Sequence, residues 1–264
     1  MKTEIYYFTG TGNGLHIAKS IKDSLVHSDE KVELIPMNTL DLSQELYSNA
    51  NRVGIIFPTY SMSSPAIVQR FAKKLRTSSG AYVFTYAHCG GGGAGGASAS
   101  IVDILSDNNI VVSNAYQTTF PSNSTLFKYT DEKIKSVLSK SEVSVEKNVK
   151  AIINNEIKIK SKSNPLARVS RKLNEAPFVA LEHHLKFKVI EANENCNGCS
   201  ICSKVCPMDN IKMNGKPDFK SNCETCFSCI HNCPQKALGF KKMNRKNFKP
   251  YRHPDVKVKE LMYR

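Results

Sequence analysis

The stretch CNGCSICSKVCP, residues 196–207, sets Cys196, Cys199, Cys202 and Cys206 in a C-x2-C-x2-C-x3-C-P pattern. Residues 223–234, CETCFSCIHNCP, repeat it 27 residues later with Cys223, Cys226, Cys229 and Cys233. Three thiolates from one tight loop reach three corners of an iron-sulfur cubane, while the fourth, entering a helix, points away and ligates the other cluster. The spacing therefore predicts two [4Fe-4S] clusters, one on Cys196, Cys199, Cys202 and Cys233, the other on Cys223, Cys226, Cys229 and Cys206. Pro207 and Pro234 suit a helix entry. Structural zinc is the competing reading, but a tetrahedral zinc site has no use for a third cysteine three residues after the first pair. Ile201, Ile211, Ile230, Leu238, Phe219 and Phe227 are candidates for excluding water from the clusters.

Eight of the nine cysteines lie in these two motifs. The start of the chain, MKTEIYYFTG, lacks the regions of a signal peptide, and no run approaches the roughly 18 apolar residues needed to span a bilayer. The expected compartment is the reducing cytoplasm, where clustered cysteines serve metal or redox chemistry before disulfides. A length of 264 residues with 41% apolar residues suits two unequal domains. Charge is uneven: residues 1–160 carry a net +3 and residues 161–264 a net +11. The basic half is either a solvated face or a docking surface for an acidic partner. No nucleic-acid motif accompanies it.

At the other end, the aromatic strand Ile5–Phe8 runs into Thr9-Gly10-Thr11-Gly12-Asn13-Gly14 and then a helical pattern. Glycines let backbone N–H groups converge, the helix start favours an anion, and Thr9, Thr11 and Asn13 add side-chain donors. The loop predicts phosphate binding. A nucleotide P-loop would need a lysine after the glycines, and a dinucleotide loop an acid at the end of the second strand, where Ile35-Pro36-Met37-Asn38 stands instead.

Further apolar runs at Val32–Pro36, Val53–Phe57, Tyr82–Tyr86 and Ile110–Val112 read as strands. They alternate with helical patterns on Leu15, Ala18, Ile21 and Leu25, on Ile67, Phe71 and Leu75, and near Ala97–Leu105. This predicts an α/β fold with a parallel sheet covered on both faces. Residues 131 to about 157 read as a broken closing helix. Residues 158–190 read as an ordered bridge of linker composition, with Phe178–Leu181 and Phe187–Ile190 free to pack on either domain. Residues 241–264 read as a basic tail wrapping a surface in extended form.

Residues 191–240 resemble a bacterial two-cluster ferredoxin. Asn197 and Glu224 depart from its frequent apolar residue after the first cysteine, and Thr225 from its usual glycine. FTGTGNG resembles the flavodoxin phosphate loop, with Gly14 where a threonine is common. Together the halves resemble flavodoxin-ferredoxin fusion proteins of anaerobic microbes. The resemblance implies a flavodoxin-like five-stranded parallel sheet, order 2-1-3-4-5, over residues 1–157, followed by an α+β ferredoxin-like domain. It implies FMN on Thr9–Gly14, with the ring near Pro58, Thr59, Tyr60, Ser61 and Met62 and near His88, Cys89, Gly90, Gly91, Gly92 and Gly93. The unpaired ninth cysteine, Cys89, reads as a small buried hydrophobe before a redox thiol, with its place beside the flavin loop keeping the second reading open.

The expected function is that of an electron carrier, passing single electrons between two clusters and FMN and exchanging them with redox proteins such as an acidic ferredoxin, a flavodoxin or a low-potential oxidoreductase. The alternative is an FMN-dependent reductase of a small substrate with the clusters as its supply. The domains could dock within one chain or across a homodimer.

Overall fold

The computed structural model describes residues 1–26, 30–60, 62–91, 93–124, 130–186, 190–240 and 248–263. Ser61, Gly92, 187–189, 241–247 and 264, which fall within readings made above, lie outside the described residues.

The apolar runs of the first half form seven strands interleaved with helices. They are β1 (Lys2–Tyr7), α1 (Asn13–Val26), β2 (Lys31–Pro36), β3 (Leu46–Ser48), β4 (Arg52–Pro58), α2 (Ala66–Lys74), β5 (Leu75–Thr77), β6 (Tyr82–Cys89), α3 (Gly95–Asp107) and β7 (Val112–Thr119). Five strands make one sheet in the order β2-β1-β4-β6-β7, every pair parallel, while β3 and β5 form a small parallel pair beside it. Counting only the strands of the main sheet, the order is the expected 2-1-3-4-5, the doubly wound arrangement of flavodoxin-like folds. The central strand β4 is buried along its whole length, as a strand covered on both faces must be.

On one face, α1 buries Leu15, Ala18, Ile21 and Leu25 beside α4 (Asp131–Ile153), which contributes Val145, Val149 and Ile152. On the other, α2 and α3 bury Ile67, Val68, Phe71, Ala97, Ile101 and Leu105. The helix expected to be broken is continuous. Thr130 caps it by accepting the Lys133 N–H at 3.2 Å, and Asp131 and Glu132 favour its positive end.

The fifth strand differs from its expected position at Ile110–Val112. It runs over Val112–Thr119, a polar and apolar alternation (VSNAYQTT) at the sheet edge, so its signal was periodicity and not an apolar run. The bridge also differs from a linker. Lys158 and Lys160 donate to Ser113 and Val112 at the start of β7, and α5 (Pro165–Lys186) follows. Its proline sits at the first helical position, where a missing N–H costs nothing. Asp103 on α3 anchors this helix start, accepting from Ser163 N–H at 2.7 Å and from Arg171 at 2.5 Å.

The cysteine-rich unit comprises β8 (Ile190–Ala192), α6 (Ile201–Lys204), β9 (Ile211–Asn214), β10 (Lys216–Phe219), α7 (Ser228–His231) and β11 (Leu238–Phe240). Antiparallel pairs join β8 to β11 and β9 to β10. A 27-residue shift carries one half onto the other, down to the backbone: Gly198 and Thr225, Ser200 and Phe227, and Asp209 and Lys236 all have positive φ. Thr225 holds φ 53° where its mate is glycine, a conformation that costs a β-branched residue about 1–2 kcal/mol. Replacing Thr225 by glycine is expected to raise the stability of the loaded protein by up to about 1 kcal/mol, read from the anaerobic denaturant midpoint. An unchanged or lower midpoint would show that the side chain compensates for the strain.

After residue 247 the chain returns across both units. Tyr251, Val256 and Leu261 are buried, and the described end bonds back through Tyr263 N–H to Lys204. No described helix is long and apolar enough to cross a membrane.

Candidate cluster pockets and phosphate loop

Two pockets lie in the cysteine-rich unit, and each is lined by four cysteines. One holds Cys196, Cys199, Cys202 and Cys233, the other Cys206, Cys223, Cys226 and Cys229. Each fourth cysteine comes from the opposite motif because α6 and α7 turn it away from its own loop. Burial pushes the Cys202 thiol up to about 11, and the Cys226 and Cys229 thiols well above their usual value, with the neighbouring cysteines adding to the shift. Buried thiols that resist ionising as free groups suit a bound cation that takes them as thiolates.

The donor set around the sulfurs follows the repeat. Asn210 N–H donates to Cys206 Sγ and Ala237 N–H to Cys233 Sγ, both at 3.3 Å. Thr225 N–H donates to Cys223 Sγ at 3.3 Å. Ile211, Phe227, Ile230 and Leu238 pack with Cys202 as a small apolar core, and Phe219 lies against it. Ile201 does not join this core; it packs on the α1 side of the large sheet.

The phosphate loop lies at the carboxyl edge of β1, and Thr9–Gly14 are all buried. Gly12 N–H is taken by Thr9 Oγ1 at 3.1 Å. Among the described residues, the N–H groups of Gly10, Thr11, Asn13 and Gly14 find no acceptor. Buried amides left unspent cost free energy, so this loop fits an anion such as a flavin phosphate. His88 supports that fit. It is buried, its Nε2 has no described partner, and that atom stands 3.2 Å from where a Gly14 Cβ would be. Burial depresses its pKa to about 3, keeping the imidazole neutral.

The other ring-loop expectations divide. Thr59 Oγ1 is buried without a described partner, as a ligand-facing hydroxyl would be. Tyr60 and Ser63 exchange backbone hydrogen bonds at 2.9 Å, which puts Met62 at a turn tip, φ 67° and 55% exposed, while the Tyr60 hydroxyl stands over Gly10. His88 and Cys89 belong to β6 and not to the glycine loop. Cys89 faces the apolar core beside Thr119, the small-hydrophobe reading. Gly91 and Gly93 stand in open space and Gly90 against Ser122.

Two features escaped the sequence. The first is the contact between units: the Cys226 carbonyl oxygen lies 2.5 Å from where a Gly10 Cβ would be, and Asn123 Nδ2 donates to that oxygen at 3.0 Å. The second pocket thus abuts the phosphate loop within one chain. The other is where the expected surface-wrapping tail lies. His253 N–H donates to Thr11 O at 2.9 Å, Tyr251 hydroxyl to Asn13 Oδ1 at 2.7 Å, and Tyr251 N–H to His231 Nδ1 on α7 at 2.9 Å. His253 also stacks on His16 of α1, ring centroids 3.8 Å apart. Its basic composition had hidden the buried residues that hold it.

Residues 188–234 match the family model of the 4Fe-4S dicluster domain. No curated protein sequence matches the chain. Solved structures similar to the first half include oxidised Flavodoxin 1 from Bacillus cereus, with 13% identity, TM-score 0.38, and coverage of 55% of this chain and 98% of that one. Two-electron reduced Megasphaera elsdenii flavodoxin has 17% identity and TM-score 0.36, with 55% and 98% covered. Rubredoxin oxygen:oxidoreductase from Desulfovibrio gigas has 14% identity and TM-score 0.35, with 58% and 37% covered. The strand order makes the first unit flavodoxin-like, and the chain joins it to the 4Fe-4S dicluster domain.

Proposed function

We propose that this protein passes single electrons between two [4Fe-4S] clusters and an FMN and exchanges them with external redox proteins. The observation that carries the reading is the pair of four-cysteine pockets, the second set against the phosphate loop. Such clusters move one electron at a time and a flavin holds one or two, so together they supply a junction between one- and two-electron chemistry.

The chain's own residues do the holding. The cysteines fix iron, and the N–H groups of Asn210 and Ala237 offset negative charge on Cys206 and Cys233. Leu238 in the first pocket and Ile211 and Phe227 in the second, packed together with Ile230, keep water from the sulfurs. The unspent amides of Thr9–Gly14 would hold the flavin phosphate, and neutral His88 stands ready to hydrogen-bond a ligand beside Gly14. External partners of acidic surface suit the net charge of +14.

Anaerobically purified protein is expected to hold about eight iron atoms and one FMN per chain. Zinc in place of iron, or FMN absent after reconstitution, would refute the reading. Stopped-flow mixing with a reduced ferredoxin, followed by a screen of small flavin substrates, separates the carrier from a reductase. Rapid turnover of one specific small molecule would favour the reductase.

A further inference from the structure

Glu224 occupies a position beside a cluster ligand and spends its charge on the other unit. Its Oε2 accepts Ala66 N–H at 2.8 Å and its Oε1 accepts Ile67 N–H at 2.7 Å, the first two amides of α2. Those donors have no partner inside their helix, and the helix start favours an anion. Arg70, one turn on, comes within 3.7 Å of the same carboxylate. The preceding residue Pro65 has no side chain able to cap, so a residue 158 positions away in the sequence caps α2 instead.

Two residues after Glu224, Cys226 is seated on Gly10 beneath the Tyr60 hydroxyl, and Asn123 fixes its carbonyl. Three loops at the carboxyl edge of the sheet therefore grip one tripeptide of the second motif. The first motif offers no counterpart: Asn197, the repeat mate of Glu224, turns back to accept Cys199 N–H at 3.3 Å, and Cys199 is exposed.

We propose that Glu224 is a positioning residue that clamps the second cluster's loop to the flavin unit, making that cluster the flavin's exchange partner and the first cluster the outward port. The inference rests on the proposed cofactors. In the step it serves, one electron leaves the second cluster, which is oxidised, and enters the flavin, which is reduced; an external one-electron donor refills the pair through the first cluster. The reverse flow uses the same contacts.

The test compares wild type, E224A and E224Q as anaerobically loaded full chains. E224A is expected to retain its iron and flavin, to lose hydrogen-exchange protection at Ala66 and Ile67, and to slow flash-triggered transfer between flavin and cluster about tenfold or more, as a displacement of about 1 Å does to a positioned reaction. The second cluster's potential should rise, because a nearby negative charge is gone, while the first cluster's should stay. E224Q keeps one carbonyl acceptor and is expected to recover part of the protection and the rate. If loaded E224A and E224Q transfer and exchange like wild type, the role of Glu224 is refuted. If wild type takes up no flavin or half the iron, the cofactor reading falls instead, and the two failures are told apart by composition alone.

Discussion

Replacing Cys206 with serine is expected to remove about half the iron, and to remove it from the pocket built by the other motif. Cys206 follows Cys202 by four residues, yet it faces Cys223, Cys226 and Cys229. A purely local site would lose the first cluster; the crossed site loses the second. Because ligand binding and local folding are one process in such units, the grip of the Cys226 loop on Gly10 should loosen as well. The first pocket keeps Cys196, Cys199, Cys202 and Cys233 and should keep its paramagnetic signal in the reduced variant. Retention of the second cluster with loss of the first would sink the crossed assignment.

Gly12→Ala is expected to weaken flavin binding by about tenfold to a hundredfold and to lower the melting temperature. Gly12 has φ 97°, where a side chain costs of order 1–3 kcal/mol. A Cβ there would also stand 3.0 Å from Val256 Cβ and 3.3 Å from His253 Cβ, pressing the returning segment off the loop. A strained glycine elsewhere serves as the control. Gly80 has φ 79° with nothing near its missing Cβ, so Gly80→Ala carries strain alone. Fluorescence titration of flavin into both variants decides: Gly80→Ala, at the amino end of β6, should bind flavin like the wild type, and a Gly12→Ala affinity equal to it would refute the role of the loop.

The two four-cysteine pockets were legible because cubane ligation constrains spacing, and spacing survives in a sequence. The buried glycine loop ahead of α1 was legible for a similar reason, since glycines and a helix start must be contiguous to cradle an anion. The sheet order followed from alternation, but β7 was misplaced because an edge strand alternates instead of running apolar. The stretch around Pro165 read as linker in composition, although a proline can begin a helix as well as interrupt one, and here it begins α5. Glu224 could not have been found. Its partners are backbone N–H groups far along the chain, and backbone donors leave no mark on residue identity. Thr225 was visible as a departure, but only its φ of 53° shows what the departure costs.

The segment 248–263 touches the phosphate loop, α1, α6 and α7, and it emerges from the ribosome after all of them. Domains fold roughly in the order in which they are made. During synthesis the glycine loop and α1 are therefore made before the piece that bonds across them exists. An anion that enters the loop at that stage does so without displacing Tyr251 and His253, whereas one that enters later meets them already bonded to Asn13 and Thr11.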